Sequence, residues 1–348
     1  MPGFTRRKLL RRVAILGCGA LTGELLACCA PDAARGPATP IATPVAPAVP
    51  TRAGAPPATA KPTLAPLHPK ATPQPTPTPA PYLAVVRGAR PGEITARAIA
   101  ALGGIERFVK AGADVIIKPN ICVAHQTYEY AATTNPEVVA TLVRLCLGAG
   151  ARRVRVMDLP FSGTAEAAYV QSGIAEAVRA AGGQMELMSS LKYRQVGIPQ
   201  GQDLKRCQVY GEILDADLVI NVPIAKHHSL ARLTLGHKNL MGVISDRGAL
   251  HHNLGQRLAD LASLVRPALT VVDAVRILVR NGPSGGNLAD VRLTNTVIAS
   301  ADMVAADAYA TRLFGLQPAD IAYIPAAARM NLGRMDLSAL KIEELEVG

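Results

Sequence analysis

The sequence predicts an α/β fold, with mostly parallel sheets covered by helices on both faces and a disordered segment before them. Two observations predict it. Short runs of β-branched residues alternate with helical patterns after residue 81, and strands separated by helices of this length belong to parallel sheets. The first 81 residues lack the apolar periodicity of a packed core. We therefore divide the 348 residues into a signal at 1–28, a tether at 29–81 and a folded domain at 82–348.

The first 28 residues have the features of an export signal. Thr5–Arg11 resembles the twin-arginine export motif, and the apolar stretch Val13–Ala27 follows it. Because this stretch has only fifteen residues, it is too short to span a bilayer and is typical of a signal peptide. Leu25–Cys28 resembles a bacterial lipobox. We expect the twin-arginine machinery to export the chain and a lipid on Cys28 to anchor it at the outer, extracytoplasmic face of the cell membrane. An uncleaved N-terminal anchor is the alternative.

The tether at 29–81 consists largely of Ala, Pro and Thr, and it holds 16 of the 27 prolines. Such a sequence favours extended polyproline conformation and buries little apolar area. We expect it to be disordered and to hold the folded domain away from the membrane surface.

The net charge of +11 also belongs mostly to the leading segments. Residues 1–81 contain nine of the 37 basic residues and two of the 26 acidic ones, which leaves a net charge of +4 on 82–348. The folded part has no basic run interleaved with aromatic residues. Nucleic acid is therefore excluded as a partner.

The folded part reads as an alternation of strands and helices. Asn135 and Pro136 are a typical helix start, and Gly148 and Gly150 end that helix. The β-branched runs predict strands at 82–87, 114–118, 153–158, 184–188, 217–222, 268–273, 292–299 and 341–347. The helical patterns lie at about 93–110, 136–149, 165–181, 256–265, 302–314 and 318–330.

Polar residues follow four of the predicted strands, at the end where parallel sheets bind ligands. These residues are Lys118 with Asn120, Asp158, Lys226 with His228, and Asp273. One such ending is commonplace, because Asp and Asn start turns. Four of them favour a shared site.

The segment 226–252 is the densest in reactive side chains. It contains Lys226, Lys238, Asn239 and five of the seven histidines, namely His227, His228, His237, His251 and His252. Neutral imidazoles bind metals or move protons, and lysines hold anions or, when desolvated, act as bases or nucleophiles. His227 and His237 fit structural roles, whereas His228, Lys238 and either His251 or His252 fit a functional one. No His-x-x-x-His or Cys-x-x-Cys spacing occurs, so spacing alone identifies no metal.

The loop Gly282–Gly286 offers a further candidate. Its amides, at Gly282 and Gly285 above all, would form an anion-binding nest near Asp273; a plain glycine-rich turn is the alternative. The sequence has no Gly-x-Ser-x-Gly elbow and no Walker loop, so a serine hydrolase or a P-loop NTPase has no support.

These segments together resemble the bacterial and archaeal family known as domain of unknown function 362, over roughly 84–335. The matching pieces are Lys118-Pro119-Asn120, Thr134-Asn135-Pro136-Glu137, Asp158, Ile220-Asn221-Val222-Pro223, Lys226-x-His228, Thr234, Lys238-Asn239-Leu240-Met241-Gly242, His251, Val272-Asp273, Gly282-Pro283 and Asp307. The resemblance implies no particular reaction.

Many members of that family carry a ferredoxin-like module with [4Fe-4S] clusters, and this sequence departs from them. The folded part keeps only Cys122, Cys146 and Cys207, one fewer than the four ligands that such a cluster usually has. We therefore expect no [4Fe-4S] cluster. Cys146 fits buried packing on its helix, and Cys122 is the thiol beside the predicted site.

A fainter likeness is to the nickel-pincer lactate racemases, which place a His ten residues before a cofactor-linked Lys. His228 and Lys238 have that separation here, with His251 or His252 as the later His. The residues around Lys238 differ from the racemase loop, so a nickel pincer is a hypothesis only.

The leading functional hypothesis is a membrane-tethered domain with one site for metal- or cofactor-dependent, including redox, chemistry. His228, Lys238, His251, Asp158 and Asp273 are its predicted catalytic residues. The predicted cofactor-binding residues are Lys118, Asn120, Lys226, Asn239, Gly282 and Gly285, and the predicted metal ligands are His228, His251 and His252. The alternative is a non-catalytic lipoprotein that binds a small anionic solute through its lysines. A purely structural surface protein is the third hypothesis.

Overall fold

A computed structural model of the protein describes residues 82–348, so the predicted signal, Cys28 and the tether lie outside the described residues. The strands are β1 Leu83–Arg87, β2 Asp114–Pro119, β3 Arg153–Val156, β4 Gln184–Met185, β5 Tyr193–Gly197, β6 Arg206–Tyr210, β7 Leu218–Val222, β8 Ile224–His228, β9 Arg232–Thr234, β10 Leu269–Leu278, β11 Val291–Ser300 and β12 Ile342–Glu346. The α-helices are α1 Pro91–Ala101, α2 Pro136–Gly148, α3 Ala165–Gln171, α4 Ile174–Ala180, α5 Gly211–Asp215, α6 Gly236–Asn239, α7 Leu254–Val265, α8 Met303–Ala310 and α9 Tyr323–Arg329. Among residues 82–348, no helix combines the length and apolar character needed to cross a membrane.

One large sheet organises the domain. Its strand order is β12-β1-β11-β10-β7-β2-β3-β4, and β8 and β9 extend it beside β10. The pairs β2–β3, β2–β7 and β7–β10 are parallel, whereas β11 runs antiparallel to both β1 and β10. The prediction of a mostly parallel sheet is therefore confirmed. The separate hairpin β5–β6 was not predicted, because its strands are short and largely polar.

Helices cover both faces of the sheet, as predicted. Alternate residues of β2 point to opposite faces: Val115 and Ile117 pack in the core that contains α1, α2 and α4, and Ile116 packs in the core that contains α7, α8 and α9. Both cores are built mainly from aliphatic side chains, with a few tyrosines, which is why a chain without tryptophan and with few aromatic residues still folds.

Two predicted helices are shorter than the periodicity indicates. The helix predicted at 93–110 ends at Ala101, because Gly103 and Gly104 adopt positive φ angles of 96° and 87° that continue no right-handed helix. The helix predicted at 165–181 is divided into α3 and α4 by Gly173, whose φ is 76°.

The parallel strands β2, β3 and β7 end at the same edge of the sheet, and the chain builds over that edge. After β7, β8 leaves along β10 and β9 folds back on it. Helix α6 and a 3₁₀-turn at Leu240–Val243 follow at once. The amide of Leu159, just after β3, donates to the carbonyl of Gly242 at 3.2 Å, so this turn lies directly against the strand ends.

Gly242 makes the closest approach in this region. A Cβ atom added there would clash with Oδ1 of Asp158 and would lie 2.6 Å from Nζ of Lys118. These two side chains form a buried ion pair with a 2.7 Å separation. Glycine is therefore required at this position for the pair to exist beneath the turn.

We predict that Gly242→Ala lowers the free energy of unfolding by about 3 kcal/mol, because it overpacks the turn and displaces a buried ion pair. Urea unfolding of the full chain measures the change. The matched control is Gly148→Ala, where an added Cβ meets no atom within 4 Å, and it should be neutral or slightly stabilising at the end of α2. Equal stability of the two variants would contradict the prediction.

Candidate functional site

A cavity of about 280 Å³ lies at the carboxyl ends of β2 and β3, beneath α6. Eight of the residues predicted from the sequence line it together: Lys118, Asn120, Asp158, Lys226, His228, Lys238, Asn239 and His251. They come from five separate segments of the chain. The structure therefore brings these eight residues together around one cavity; that they form a functional site stays a prediction.

Lys118 holds the floor of the cavity. Its buried Nζ lies 2.7 Å from Oδ1 of Asp158 and donates to the carbonyl of Pro119 and to Oδ1 of Asn239, both at 2.9 Å. The second carboxylate oxygen of Asp158 accepts from the amide of Ile121 at 2.6 Å. Burial lowers the pKa of Lys118 to about 8, although Asp158 opposes the shift. With three partners, this ammonium has no proton left for a ligand.

Lys226 is occupied in the same way. Its buried Nζ donates to the carbonyl of Ala132 at 2.6 Å and to Oδ1 of Asn120 at 3.1 Å. It also lies against the thiol of Cys122. Burial lowers its pKa. The side-chain Nδ2 of Asn120 donates in turn to Oδ1 of Asn239 at 2.9 Å. Both asparagines therefore serve to position the two buried lysines.

Lys238 differs from the other two lysines. It belongs to the short helix α6 and lines the cavity. Its Nζ has no hydrogen-bond or ion-pair partner among residues 82–348. Burial, and then the ammonium of Lys226, lower its pKa to about 8. This is the cationic group that the fold leaves available to a ligand.

His228, at the end of β8, has a defined protonation state. Its Nδ1 accepts from the backbone amides of Leu230 and Ala231 at 3.1 and 3.3 Å. Burial, followed by the positive charge of Lys238, lowers its pKa to about 3. The ring is therefore neutral near pH 7, and its single proton is on Nε2. His228 is a hydrogen-bond donor in the cavity wall.

Thr234 and Arg247 are two of the lining residues that were not among the predicted site residues. Thr234 is only 3% exposed, and its Oγ1 has no partner in the described part of the chain. Arg247 lines the cavity while its guanidinium donates to the carbonyls of Leu159 and Pro160. Thr234 was visible as one piece of the family resemblance, whereas Arg247 follows no motif and only the tertiary structure places it.

The predicted role of Asp273 is wrong. It does not line the cavity, because β10 continues past it to Leu278 and Asp273 lies in mid-strand. Its carboxylate accepts from the amide of Asn135 at 2.6 Å and from that of Val275 at 3.0 Å, so it fixes the start of α2. Burial raises its pKa to about 6.

The predicted anion nest at Gly282 and Gly285 is also wrong. The amide of Gly282 donates to Nδ1 of His227 at 3.1 Å, and that of Gly285 donates to the carbonyl of Asn281 at 3.1 Å. Both N–H groups are used within the protein, so this loop is the plain glycine-rich turn. Its Pro283 contributes to the cavity wall.

The three histidines predicted as metal ligands do not form a metal site by themselves. Nδ1 of His228 accepts two backbone amides and Nε2 carries the proton, and His252 does not line the cavity. The part of the chain that the structure describes contains no cluster of three or more His, Cys, Asp or Glu side chains suited to a metal ion. A bound metal therefore stays a prediction without a ligand set.

His237 and Cys146 lie outside the cavity, whereas Cys122 lines it. His237 is fully buried, with Nδ1 donating to Asp307 at 2.8 Å and its ring stacked on Tyr323, while its Nε2 has no hydrogen-bond partner among the described residues. Cys146 is buried, and burial raises its pKa to about 12. Cys122 is the thiol that lines the cavity.

Solved structures that this chain resembles include the lactate racemase apoprotein from Thermoanaerobacterium thermosaccharolyticum. That superposition has a TM-score of 0.41 at 12% sequence identity and covers 63% of this chain and 54% of the other. A protein from Thermotoga maritima gives a TM-score of 0.40 at 14% identity, over 66% of this chain and 60% of the other. The chain thus spans less than two thirds of either of these proteins.

Sequence comparison gives a closer relationship. The thylakoid-associated protein sll1697 of Synechocystis sp. is 30% identical over 246 residues, which cover 66% of this chain and 72% of that protein. The family model for the domain of unknown function DUF362 matches residues 115–312, a range that contains every predicted site residue of the folded part. The resemblance seen in the sequence is confirmed, and the chain belongs to the DUF362 family.

Proposed function

We propose that the cavity binds a small anionic molecule, with the ammonium of Lys238 as its main contact. One observation carries the proposal: hydrogen-bond donors without a protein partner in the described residues line the same cavity. They are Nζ of Lys238, Nε2 of His228, Oγ1 of Thr234 and Nε of Arg247. Buried polar groups that lack partners are costly, so a ligand that supplies acceptors to these donors is favoured.

The chemistry of these groups defines the ligand. The ammonium and the Nε2–H group can only donate hydrogen bonds, and the threonine hydroxyl can do so as well. The ligand must therefore present acceptor oxygens, as a carboxylate or a phosphate does. The ionised lining residues Lys118, Lys226, Lys238 and Arg247 face only the carboxylate of Asp158, so the field in the cavity also favours an anion.

The hydrogen bonds of Lys118 and Lys226 decide where in the cavity the anion makes its direct contacts. Lys118 and Lys226 cannot turn towards a ligand without breaking buried hydrogen bonds, so they add positive potential but no direct contact. Lys238 and His228 provide the direct contacts. The volume of about 280 Å³ limits the enclosed part of the ligand to a small group.

We predict that Lys238→Met weakens the binding of inorganic phosphate or acetate by about 10- to 100-fold, because it removes a charged hydrogen bond. Calorimetric titration of the full chain measures the Kd. Lys110→Met is the matched control, since Lys110 is an exposed lysine away from the cavity. Anion affinities that are equal in the wild type and in Lys238→Met would overturn the proposal.

The same site should respond to pH. The ammonium of Lys238 is present below its pKa of about 8, so anion affinity should fall by up to about tenfold for each pH unit above 8. Lys238→Arg keeps its charge, so its acetate affinity should fall less steeply between pH 7 and pH 9 than that of the wild type; the remaining fall would come from Lys118, whose pKa is also about 8.

Cofactor-dependent chemistry is a second candidate function for this cavity. The observation in its favour is the lowered pKa of Lys238, because an amine that is partly neutral near pH 8 can act as a base or nucleophile. An anionic cofactor or substrate would occupy the same position beside Lys238 as the small anion of the first proposal. His228 would donate a hydrogen bond from Nε2 to that cofactor or substrate.

Purification from the native host distinguishes the candidates. We expect a small anion in stoichiometric amount by mass spectrometry, lost from Lys238→Met. A cofactor-like chromophore or a substrate that turns over would favour enzyme chemistry. A stoichiometric metal found by elemental analysis, with no anion bound, would instead overturn the proposed function.

We further propose that the domain works outside the cytoplasm, attached to a membrane through a lipid on Cys28. The twin-arginine motif at Thr5–Arg11, the lipobox and the tether at 29–81 support this location. The Synechocystis relative is a thylakoid-associated protein, which agrees with a membrane-attached role.

Expression of the full chain in a bacterium with twin-arginine export tests this location. We expect mass spectrometry to find an acylated N-terminal Cys28 in the membrane fraction. Cys28→Ser should release the chain or leave it unprocessed, and replacing Arg6 and Arg7 by Lys should retain it inside the cell. Acylation of a different cysteine would refute the assignment of Cys28.

A further inference from the structure

We infer that the anion bound by this cavity is amphipathic, with its charged group beside Lys238 and an apolar portion against Phe161 and Leu230. This inference rests on the proposed function and narrows its ligand class. It is drawn from the outer part of the cavity wall, which the charge argument does not use.

Phe161 and Leu230 are large apolar side chains that remain 67% and 66% exposed, and both line the cavity that Lys238 lines. Single exposed apolar residues are ordinary on protein surfaces. Two that flank one polar cavity form an apolar rim instead, and such surfaces commonly mark binding sites. Other exposed apolar residues of the described chain, such as Val170 and Leu191, do not line this cavity.

The backbone holds both rim residues in place. The amide of Phe161 donates to the carbonyl of Cys122 at 2.8 Å. The amide of Leu230 donates to Nδ1 of His228 at 3.1 Å, so the contact that fixes the proton of His228 also fixes the position of Leu230. The rim is therefore part of the same construction as the polar site.

Other residues of the cavity wall are also apolar. Ile121, Leu159 and Met241 line the cavity, and they come from the segments that carry Lys118, Asp158 and the turn after α6. Ile121 and Met241 are buried, so the apolar surface that water contacts is the rim. An anion with only polar atoms would leave that rim exposed to water. An alkyl or aryl group attached to the anion would cover it, and burial of each methylene group would strengthen binding by about three- to fourfold.

A series of straight-chain carboxylates from acetate to octanoate tests the inference, titrated into the full chain below their micelle concentrations. We expect the Kd to fall about three- to fourfold per added methylene until the chain leaves the rim. The readout is the ratio of octanoate to acetate affinity within each variant. In the double variant Phe161→Ser/Leu230→Ser, this ratio should fall by about tenfold or more.

The matched control is Val170→Ser/Leu191→Ser, which removes two exposed apolar side chains outside the cavity. It should keep both the wild-type ratio and phosphate binding. Melting temperatures of both double variants should match the wild type, because all four side chains are largely exposed.

The outcomes separate the two proposals. Anions that bind in a Lys238-dependent way with no dependence on chain length would overturn the amphipathic ligand and leave the proposed function standing. If the affinity still rises with chain length in Phe161→Ser/Leu230→Ser, the rim is not the cause of that rise. The same conclusion follows if sedimentation shows a changed oligomeric state of that variant while its ratio of octanoate to acetate affinity is unchanged. Anion affinities that are equal in the wild type and in Lys238→Met would overturn the proposed function itself.

Discussion

The buried ammonium of Lys118 is the constraint on which the rest of this site depends. A charge removed from water needs a full set of partners, and Lys118 takes them from three places: its own strand end, Asp158 after β3, and Asn239 in α6. Satisfying one charge therefore fixes three segments relative to one another. Gly242 is glycine because the turn after α6 must lie against that pair. The cavity is the space that this arrangement leaves between the strand ends and α6.

The three lysines around the cavity show how the same side chain acquires different roles. Lys118 and Lys226 are saturated by carboxylate, amide and carbonyl oxygens, so they act as fixed positive charges. Lys238 lies beside them with no such partner in the described residues, and the repulsion of Lys226 adds to burial in lowering its pKa. The difference arises from the oxygens within reach of each Nζ.

Much of the fold and part of the site could be predicted from the sequence. The alternation of strands and helices, the N-cap Asn135 and the polar residues after β2 and β3 are local features, and the structure contains them. Asp273 failed because the end of β10 depends on its pairing with β11, which no local pattern reveals. The predicted anion-binding role of Gly282 and Gly285 was wrong because their backbone amides donate to other groups of the protein, Nδ1 of His227 and a backbone carbonyl. The sequence does not show which group an amide will reach.

The sequence by itself determined the α/β class, the family and the set of reactive residue types, because each of these depends on composition or on short motifs. Only the tertiary structure decided which lysine is free, which nitrogen of His228 carries the proton, and that Thr234, Arg247 and the apolar rim belong to the site. Hydrogen-bond saturation and exposure are properties of atoms brought together from distant segments. They depend on tertiary packing, which no single segment of the sequence determines.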